Sequence, residues 1–220
     1  MTRGALLVVG AIVVGAIAAW GTSLRAASDV RGTVPAEAVA AVQSLDRNLS
    51  EIRGELEMTR LQLERATEIM QYSARYRIPA DLSGAIYDIA VAEGIHPALG
   101  FQLVKVESDF RATAVSSMGA IGYTQIRLPT ARIYRPGITR AELTDRETNL
   151  RLGFRFLKDL LRRFDNDMPL ALVAYNRGPT RVDSIVAGGG NPSNGYSEMV
   201  LRGVSQPVRT TPAEGVKRGS

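Results

Sequence analysis

The chain has 220 residues, of which 45% are hydrophobic and 22% are charged, a size and balance that suit one globular domain with additional segments. It contains no cysteine and one histidine, which excludes disulfide frameworks, thiolate sites and multi-histidine metal sites. The net charge of +5 predicts a mild attraction to anionic polymers, but no basic stripe with interleaved aromatic residues points to nucleic acid. We therefore expect no metal, no cofactor and no nucleic-acid partner.

An uncharged apolar run extends from Ala5 to Gly21 near the N-terminus. A membrane-spanning helix needs about 20 apolar residues, within a range of about 17 to 25, so this run lies at the lower limit for an anchor. Trp20 is a typical interfacial residue and favours an uncleaved anchor, whereas the small residues after it leave a cleaved signal peptide open. We expect residues 1–34 to be this anchor or signal peptide with a linker, and the rest of the chain to be exported.

Residues 35–77 form a polar segment with a narrow apolar seam, and its alternating spacings of three and four predict a long helix with coiled-coil character. Gly54 lowers the stability of such a helix. Self-association and a stalk docked on the next domain or on a partner are both open. The seam consists of Val42, Leu45, Leu49, Ile52, Leu56, Thr59, Leu63, Ala66 and Met70.

A compact, all-α domain is predicted over residues 78–204. Pro97 is suited to the first turn of a helix that runs to Ser108. A later helix from Leu150 to Phe164 is apolar on more than one side, which is typical of a central helix in a globular core. The tail, residues 205–220, has few apolar residues, so we expect it to be disordered.

Glu107 is the first residue along the chain for which the sequence indicates a catalytic role. On the predicted helix its neighbours one turn back are Leu103 and Val104, so the carboxyl group lies on the apolar face. Burial there would raise its pKa, as a general acid working near neutral pH requires. A boundary glutamate that turns out to solvent is the alternative.

A glycine-containing loop follows this helix. Its polar residues, including Ser116 and Gln125, carry groups that suit a sugar ligand, and its glycines allow a close backbone approach. Further along, Tyr175 and Asn176 stand together at the end of another predicted helix. Each of these features is weak by itself.

In order and spacing these motifs resemble the catalytic domain of lytic transglycosylases of the soluble-transglycosylase type, whose lysozyme-like fold is shared with goose-type lysozymes. The resemblance rests on the pair Glu107-Ser108, on Ser116 nine positions later, and on three further motifs. Those motifs are Gly119-Ala120-Ile121-Gly122-Tyr123-Thr124-Gln125, Ala174-Tyr175-Asn176-Arg177-Gly178, and the opening of the central helix from Asn149 to Gly153. Tyr196 before Val200-Leu201 resembles the last element. Tyr123-Thr124 and Arg127 depart from the family pattern, and the former could reshape the sugar subsites.

The resemblance implies a peptidoglycan lytic transglycosylase that cleaves the bond between N-acetylmuramic acid and N-acetylglucosamine without water. Glu107 would act first as general acid and then as base, and the product would carry a 1,6-anhydro ring. The resemblance assigns substrate binding to eight residues, which are Ser108, Ser116, Gly119, Tyr123, Gln125, Tyr175, Asn176 and Tyr196.

Two alternatives remain at this point. A muramidase of the same fold would use water and normally a second carboxylate, for which Glu142, Asp145 and Glu147 are candidates. A non-enzymatic scaffold would bind glycan within an envelope-spanning assembly. In each case the expected partners are peptidoglycan strands, the membrane through the N-terminal segment, and a second copy or a complex partner through the stalk helix. The expected location is the periplasmic side of the inner membrane, or the periplasm if the signal is cleaved.

Overall fold

The computed structural model describes residues 35–204, which are mostly helical. The predicted anchor (1–34) and the predicted disordered tail (205–220) lie outside the described residues. Within residues 35–204, no helix is both long and apolar enough to cross a membrane. The helices are α1 (Ala36–Tyr76), α2 (Ala80–Glu93), α3 (Pro97–Ser108), α4 (Leu128–Tyr134), α5 (Arg146–Arg163), α6 (Met168–Arg177), α7 (Pro179–Ala187) and α8 (Tyr196–Val204), with a short 3-10 helix at Glu142–Thr144.

The structure also contains a small antiparallel hairpin that the all-α prediction did not include. Strand β1 (Ala120–Ile121) pairs with β2 (Ile126–Arg127), with Ala120 opposite Arg127. The hairpin forms inside the loop that carries the glycine motif, where Gly122 has a positive φ of 74° and turns the chain. The other regular elements of the described chain are helices, as the sequence predicts.

The chain divides into two compact units, and the division falls between Met58 and Thr59, inside α1. In the first unit, the apolar seam from Val42 to Leu56 is solvent-exposed, with its side chains 50 to 68% accessible. The structure therefore has the predicted helix, while coiled-coil pairing stays a prediction.

The second unit starts earlier than the predicted domain boundary at Ile78. Ile69 and Tyr72, in the last turns of α1, are buried, and the Tyr72 ring stacks on Phe101 of α3 with ring centroids 4.1 Å apart. Burial of these side chains attaches the end of α1 to the domain core, so the compact unit begins within α1 and not after it.

Helix α5 lies at the centre of this unit. Leu150, Phe154 and Leu157 pack in the main core with α2, α3, α6 and α8, whereas Leu152 joins a smaller cluster with the hairpin and α4. The sequence predicts that this helix is apolar on more than one side, and its apolar residues contribute to both clusters. Because α5 contacts both parts, it fixes the hairpin loop relative to the helices.

Helix α3 positions the candidate acid. Its start is capped by His96, whose Nδ1 accepts a hydrogen bond from the Ala98 amide at 3.2 Å, and Pro97 occupies the first turn. The single histidine therefore has a structural role at the helix start. The helix ends at Ser108, followed by Asp109 with a positive φ of 51°, so Glu107 lies in its last turn.

Candidate active site

Glu107 lines a pocket of about 700 Å³. The walls of the pocket come from the hairpin loop, from the end of α6, and from the segment that leads into α8. The Tyr196 hydroxyl, at the start of α8, donates a hydrogen bond to Glu107 Oε1. The acid is therefore held by a residue 89 positions away in the chain.

The environment of Glu107 shifts its proton affinity to the working range of a general acid. Burial raises the pKa of Glu107 from 4.5 to about 7, and the hydrogen bond from Tyr196 opposes this rise. Burial and the nearby Glu107 also raise the pKa of Tyr175 and of Tyr196 well above 10, so both phenols stay protonated donors at neutral pH. At pH 7 the carboxyl group exchanges readily between its acid and base forms.

The hairpin loop forms one wall of the pocket and is held by its own polar groups. Gln125 Nε2 donates to the carbonyl oxygens of Ala114 and Gly122, at 3.1 and 2.9 Å, and Ser116 Oγ accepts from the Ala120 amide at 3.0 Å. Ser116 and Gln125 both line the pocket. These two residues shape the loop in addition to lining the pocket.

Asn149 fastens the same loop to α5. Its fully buried side chain accepts from the amide and the hydroxyl of Thr124, each at 2.9 Å, and donates to the carbonyls of Ile121 and Leu143 at 2.8 and 2.9 Å. The approach is close, since a Cβ atom on Gly153 would lie 2.3 Å from Thr124 Cβ. The sequence motif identifies Asn149 and Gly153 only as the opening of the central helix, and it does not predict that they hold the loop in place.

The opposite wall is formed by the end of α6 and the segment after α7. The Tyr175 hydroxyl donates to the Thr124 carbonyl at 2.8 Å, which connects this wall to the braced loop. Asn176 Oδ1 accepts from Asn194 Nδ2 at 2.9 Å, and both residues line the pocket. Tyr175 is buried, whereas Asn176 is exposed.

Four predicted substrate-binding residues lie outside the pocket lining. Ser108 is buried, and its hydroxyl donates to the carbonyls of Val104 and Tyr123. These hydrogen bonds join the end of α3 to the hairpin loop. The phenol of Tyr123 lies near Asp81 and Arg146 rather than in the pocket. Gly119 is outside the pocket lining and supplies a turn with a positive φ of 77°. Tyr196 also does not line the pocket, although its hydroxyl donates to Glu107.

No second carboxylate lines the pocket among residues 35–204. Asp145 caps α5 by accepting from the Thr148 amide at 2.9 Å. Glu142 accepts from the Thr139 amide at 2.9 Å and pairs with Arg135 at 2.7 Å. Glu147 is exposed and outside the lining. In the same range, no group of three His, Asp or Glu residues is placed to hold a metal ion.

Comparison with known proteins adds a family and a fold. The family model for the Transglycosylase SLT domain matches residues 85–194, which is half of the chain. The structure is similar to the 70 kDa soluble lytic transglycosylase from Escherichia coli, with a TM-score of 0.50 and 23% identity over 60% of this chain. A complex of the 70 kDa soluble lytic transglycosylase with bulgecin A gives a TM-score of 0.51 and 24% identity, also over 60% of this chain.

An inactive mutant of lytic transglycosylase Slt from Pseudomonas aeruginosa gives a TM-score of 0.48 and 25% identity over 55% of this chain. The matched region amounts to 22 to 24% of each of these three larger chains. The likeness to the two structures at TM-scores of 0.50 and 0.51 shows that the helical domain has the lysozyme-like fold, as the motifs predict.

Proposed function

Because the chain belongs to the Transglycosylase SLT domain family, we propose that it is a peptidoglycan lytic transglycosylase. It cleaves the β-1,4 bond between N-acetylmuramic acid and N-acetylglucosamine without water and leaves a 1,6-anhydromuramic acid end. The family match and the lysozyme-like fold support the reaction class.

One observation carries the proposal most strongly. Glu107 is the one carboxylate that lines the pocket within residues 35–204, and its pKa is about 7. A glycosidase that uses water normally needs two carboxylates, about 5 to 10 Å apart. A single carboxyl group near its pKa can serve in turn as acid and base, provided that the attacking group is already held nearby.

The proposed reaction has two steps. In the first, Glu107 gives its proton to the glycosidic oxygen, the C1–O bond breaks, and the acetamido oxygen of the same sugar bonds to C1. In the second, the Glu107 carboxylate takes the proton of the C6 hydroxyl, and O6 bonds to C1 as the acetamido oxygen leaves. The enzyme returns to its protonated form, and no water is consumed.

The surrounding donors have proposed roles in this sequence. Tyr196 donates to Glu107 and stabilises the carboxylate between the two steps. Ser116, Gln125 and Asn176 line the pocket and orient the sugar, and Tyr175 holds the wall beside the acid.

Product analysis tests the proposal. The full-length protein is incubated with purified peptidoglycan in water enriched in oxygen-18, and the soluble products are measured by mass spectrometry. We expect anhydromuramic acid ends without the heavy isotope. Reducing ends that carry one oxygen-18 atom would show a muramidase, and a lack of soluble products under conditions where the protein binds peptidoglycan would show a scaffold. Either result contradicts the proposal.

We also propose that the enzyme works on the periplasmic side of the inner membrane, held there by the apolar run from Ala5 to Gly21. The exposed seam from Val42 to Leu56 leaves self-association or a complex partner as further roles of α1. Full-length protein should fractionate with membranes and resist extraction by high salt. A mature chain that begins near Leu24 and is soluble in the periplasm would instead show a cleaved signal.

A further inference from the structure

Three arginines line the same pocket as Glu107, and the catalytic scheme does not use them. Arg127 is the last residue of strand β2, Arg177 is the last residue of α6, and Arg181 lies in the first turn of α7. They come from separate elements spread over 55 positions of the chain. The fold therefore gathers positive charge on a pocket that already holds the candidate acid.

Two of these guanidinium groups are available to a ligand. Within residues 35–204, the side chains of Arg127 and Arg181 make no hydrogen bond or ion pair, and both residues are exposed. Arg177 is held in place, because its Nη1 donates to the Pro192 carbonyl at 2.8 Å. Positive groups that have no carboxylate partner at a pocket are suited to bind an anionic ligand.

The arginines do not serve to neutralise Glu107. The pKa of Glu107 is set by burial and by Tyr196, and no arginine holds it down. A guanidinium group within about 4 to 6 Å would favour the ionised carboxylate and lower that pKa. Arg127 and Arg181 line the pocket and are exposed, so their guanidinium groups lie at its solvent-open part.

We propose, on the premise of the function above, that Arg127 and Arg181 with Arg177 form a subsite for free carboxylates of the peptide stem carried by the muramic acid. In a stem-bearing strand the lactyl carboxylate of the sugar is consumed in an amide bond, so the free carboxylates belong to the peptide. The lactyl group sits on the ring whose C1 must meet Glu107. A subsite at the solvent-open part of the pocket matches the more distant stem better than it matches the lactyl group.

The test compares one double variant with a matched control on two substrates. The full-length R127Q/R181Q variant removes the two unpaired charges and keeps polar side chains of similar length. Arg132→Gln is the control, because Arg132 is an exposed arginine on α4 outside the pocket lining. The substrates are purified glycan strands with intact stems, and the same strands after an amidase has removed the stems and exposed the lactyl carboxylates.

For the double variant we expect kcat/KM on stem-bearing strands to fall about tenfold, mainly through KM, as loss of two partly exposed charge-assisted contacts predicts. On stem-free strands the change should be less than about twofold, and 0.5 M salt should reduce the wild-type preference for stems because it screens exposed charges. The control should match the wild type on both substrates.

Other results overturn the inference. An equal loss on both substrates would place the contact on the sugar or its lactyl carboxylate, and no loss on stem-bearing strands would show that the arginines bind no substrate anion. Cleavage of stem-free strands by the wild type keeps this outcome separate from the proposed function, since a chain that cleaves neither substrate contradicts the enzyme itself.

Discussion

Two glutamates near the ends of successive helices, Glu93 and the half-buried Glu107, have opposite surroundings. Glu93, the last residue of α2, is 6% exposed and meets Arg155 at 2.8 and 3.1 Å and Arg151 at 3.2 Å. Burial raises the pKa of Glu93, but the bonds and charge of these arginines outweigh it, so the pKa is lowered overall. Glu107 has Tyr196 instead of a cation, and its pKa rises to about 7.

The comparison separates a structural carboxylate from a reactive one. At Glu93 the fold supplies two positive partners, so the charge is fixed and joins α2 to α5. At Glu107 the fold supplies burial and one neutral donor, so the proton is held loosely enough to be transferred near pH 7. Residue type and helix position do not distinguish the two sites, and the partners do.

The largest expected effect follows from removing the transferable proton. Glu107→Gln keeps the shape of the side chain, and turnover of peptidoglycan should fall by about 10²- to 10⁴-fold, the usual contribution of a general acid. Glycan binding and helical content should persist, as measured by sedimentation with peptidoglycan and by circular dichroism. Glu147→Gln, at an exposed site outside the pocket, is the control and should retain activity. A Glu107→Gln enzyme with more than about a tenth of wild-type turnover would disprove the assignment of the acid.

The second effect comes from loosening the wall that keeps Glu107 buried. Asn149→Ala leaves buried groups of the hairpin loop without partners and should lower the free energy of unfolding by about 3 kcal/mol, measured by urea denaturation. The freed loop should let water reach the acid, so the pKa seen in the pH profile should fall towards the ordinary value for glutamate.

Gly153→Ala disturbs the same loop by a steric clash from α5 and gives an independent check of the bracing. Its added methyl group meets Thr124, and we expect destabilisation of about 1 to 3 kcal/mol with the same direction of change in the pH profile. Normal stability and an unchanged profile in both variants would show that the bracing by Asn149 is not what keeps the acid buried.

The third effect is an opposite dependence of stability on pH. The unfolded chain releases the Glu107 proton near pH 4.5 and the folded chain near 7, so wild type loses stability as pH rises between these values. Glu107→Gln lacks this loss and should be more stable than wild type by about 2 kcal/mol at pH 8, with the gain fading towards pH 4.

Glu93→Gln should behave in the reverse sense. The lowered pKa of Glu93 contributes stability above its unfolded pKa, and this stability is lost as pH falls through the folded value. The variant should be less stable by about 1 kcal/mol at pH 7, since both arginines are half-exposed, and the difference should close in acid. Chemical denaturation across this pH range gives the free energy of unfolding of both variants. If the two variants differed from wild type in the same way at every pH, the distinction between the two sites would be wrong.

The smallest effect sharpens the role of Tyr196. Its hydrogen bond lowers the pKa of Glu107, so Tyr196→Phe should raise that pKa further and move the alkaline limb of the kcat/KM profile to higher pH. Tyr123→Phe, whose phenol lies near Asp81 and Arg146, should leave the limb in place. A Tyr196→Phe profile identical to wild type would contradict the contact as a control on the acid.

The sequence predicts the helices and the acid because both depend on neighbours one turn away. The apolar residues Leu103 and Val104 place Glu107 on a buried face, and Gly94 and Pro97 mark the ends of α2 and α3. The resemblance assigns Ser108 and Tyr123 to substrate, whereas the structure places both outside the pocket lining, because a motif does not show which way its side chains face. That direction is decided here by Asn149, far along the chain.

The pocket arginines show the same difficulty more strongly. Arg127 departs from the family pattern, but it lines one pocket with Arg177 and Arg181 only after the hairpin, α6 and α7 have packed. No local spacing relates Arg127 to the other two. The family resemblance supplied Tyr196, whose contact with Glu107 also spans most of the domain.

The stacking of α1 on the domain core determines where the chain can be divided. Tyr76 and Tyr72 lie beside Phe101, and Tyr76 also contacts Phe110, so these rings cover the helix that carries Glu107 in its last turn. A fragment that begins at Ile78 would leave Phe101 open to water and would be prone to aggregate. A fragment that begins at Thr59 retains the aromatic cover, so it is the fragment suited to crystallisation and to assays without the N-terminal apolar run.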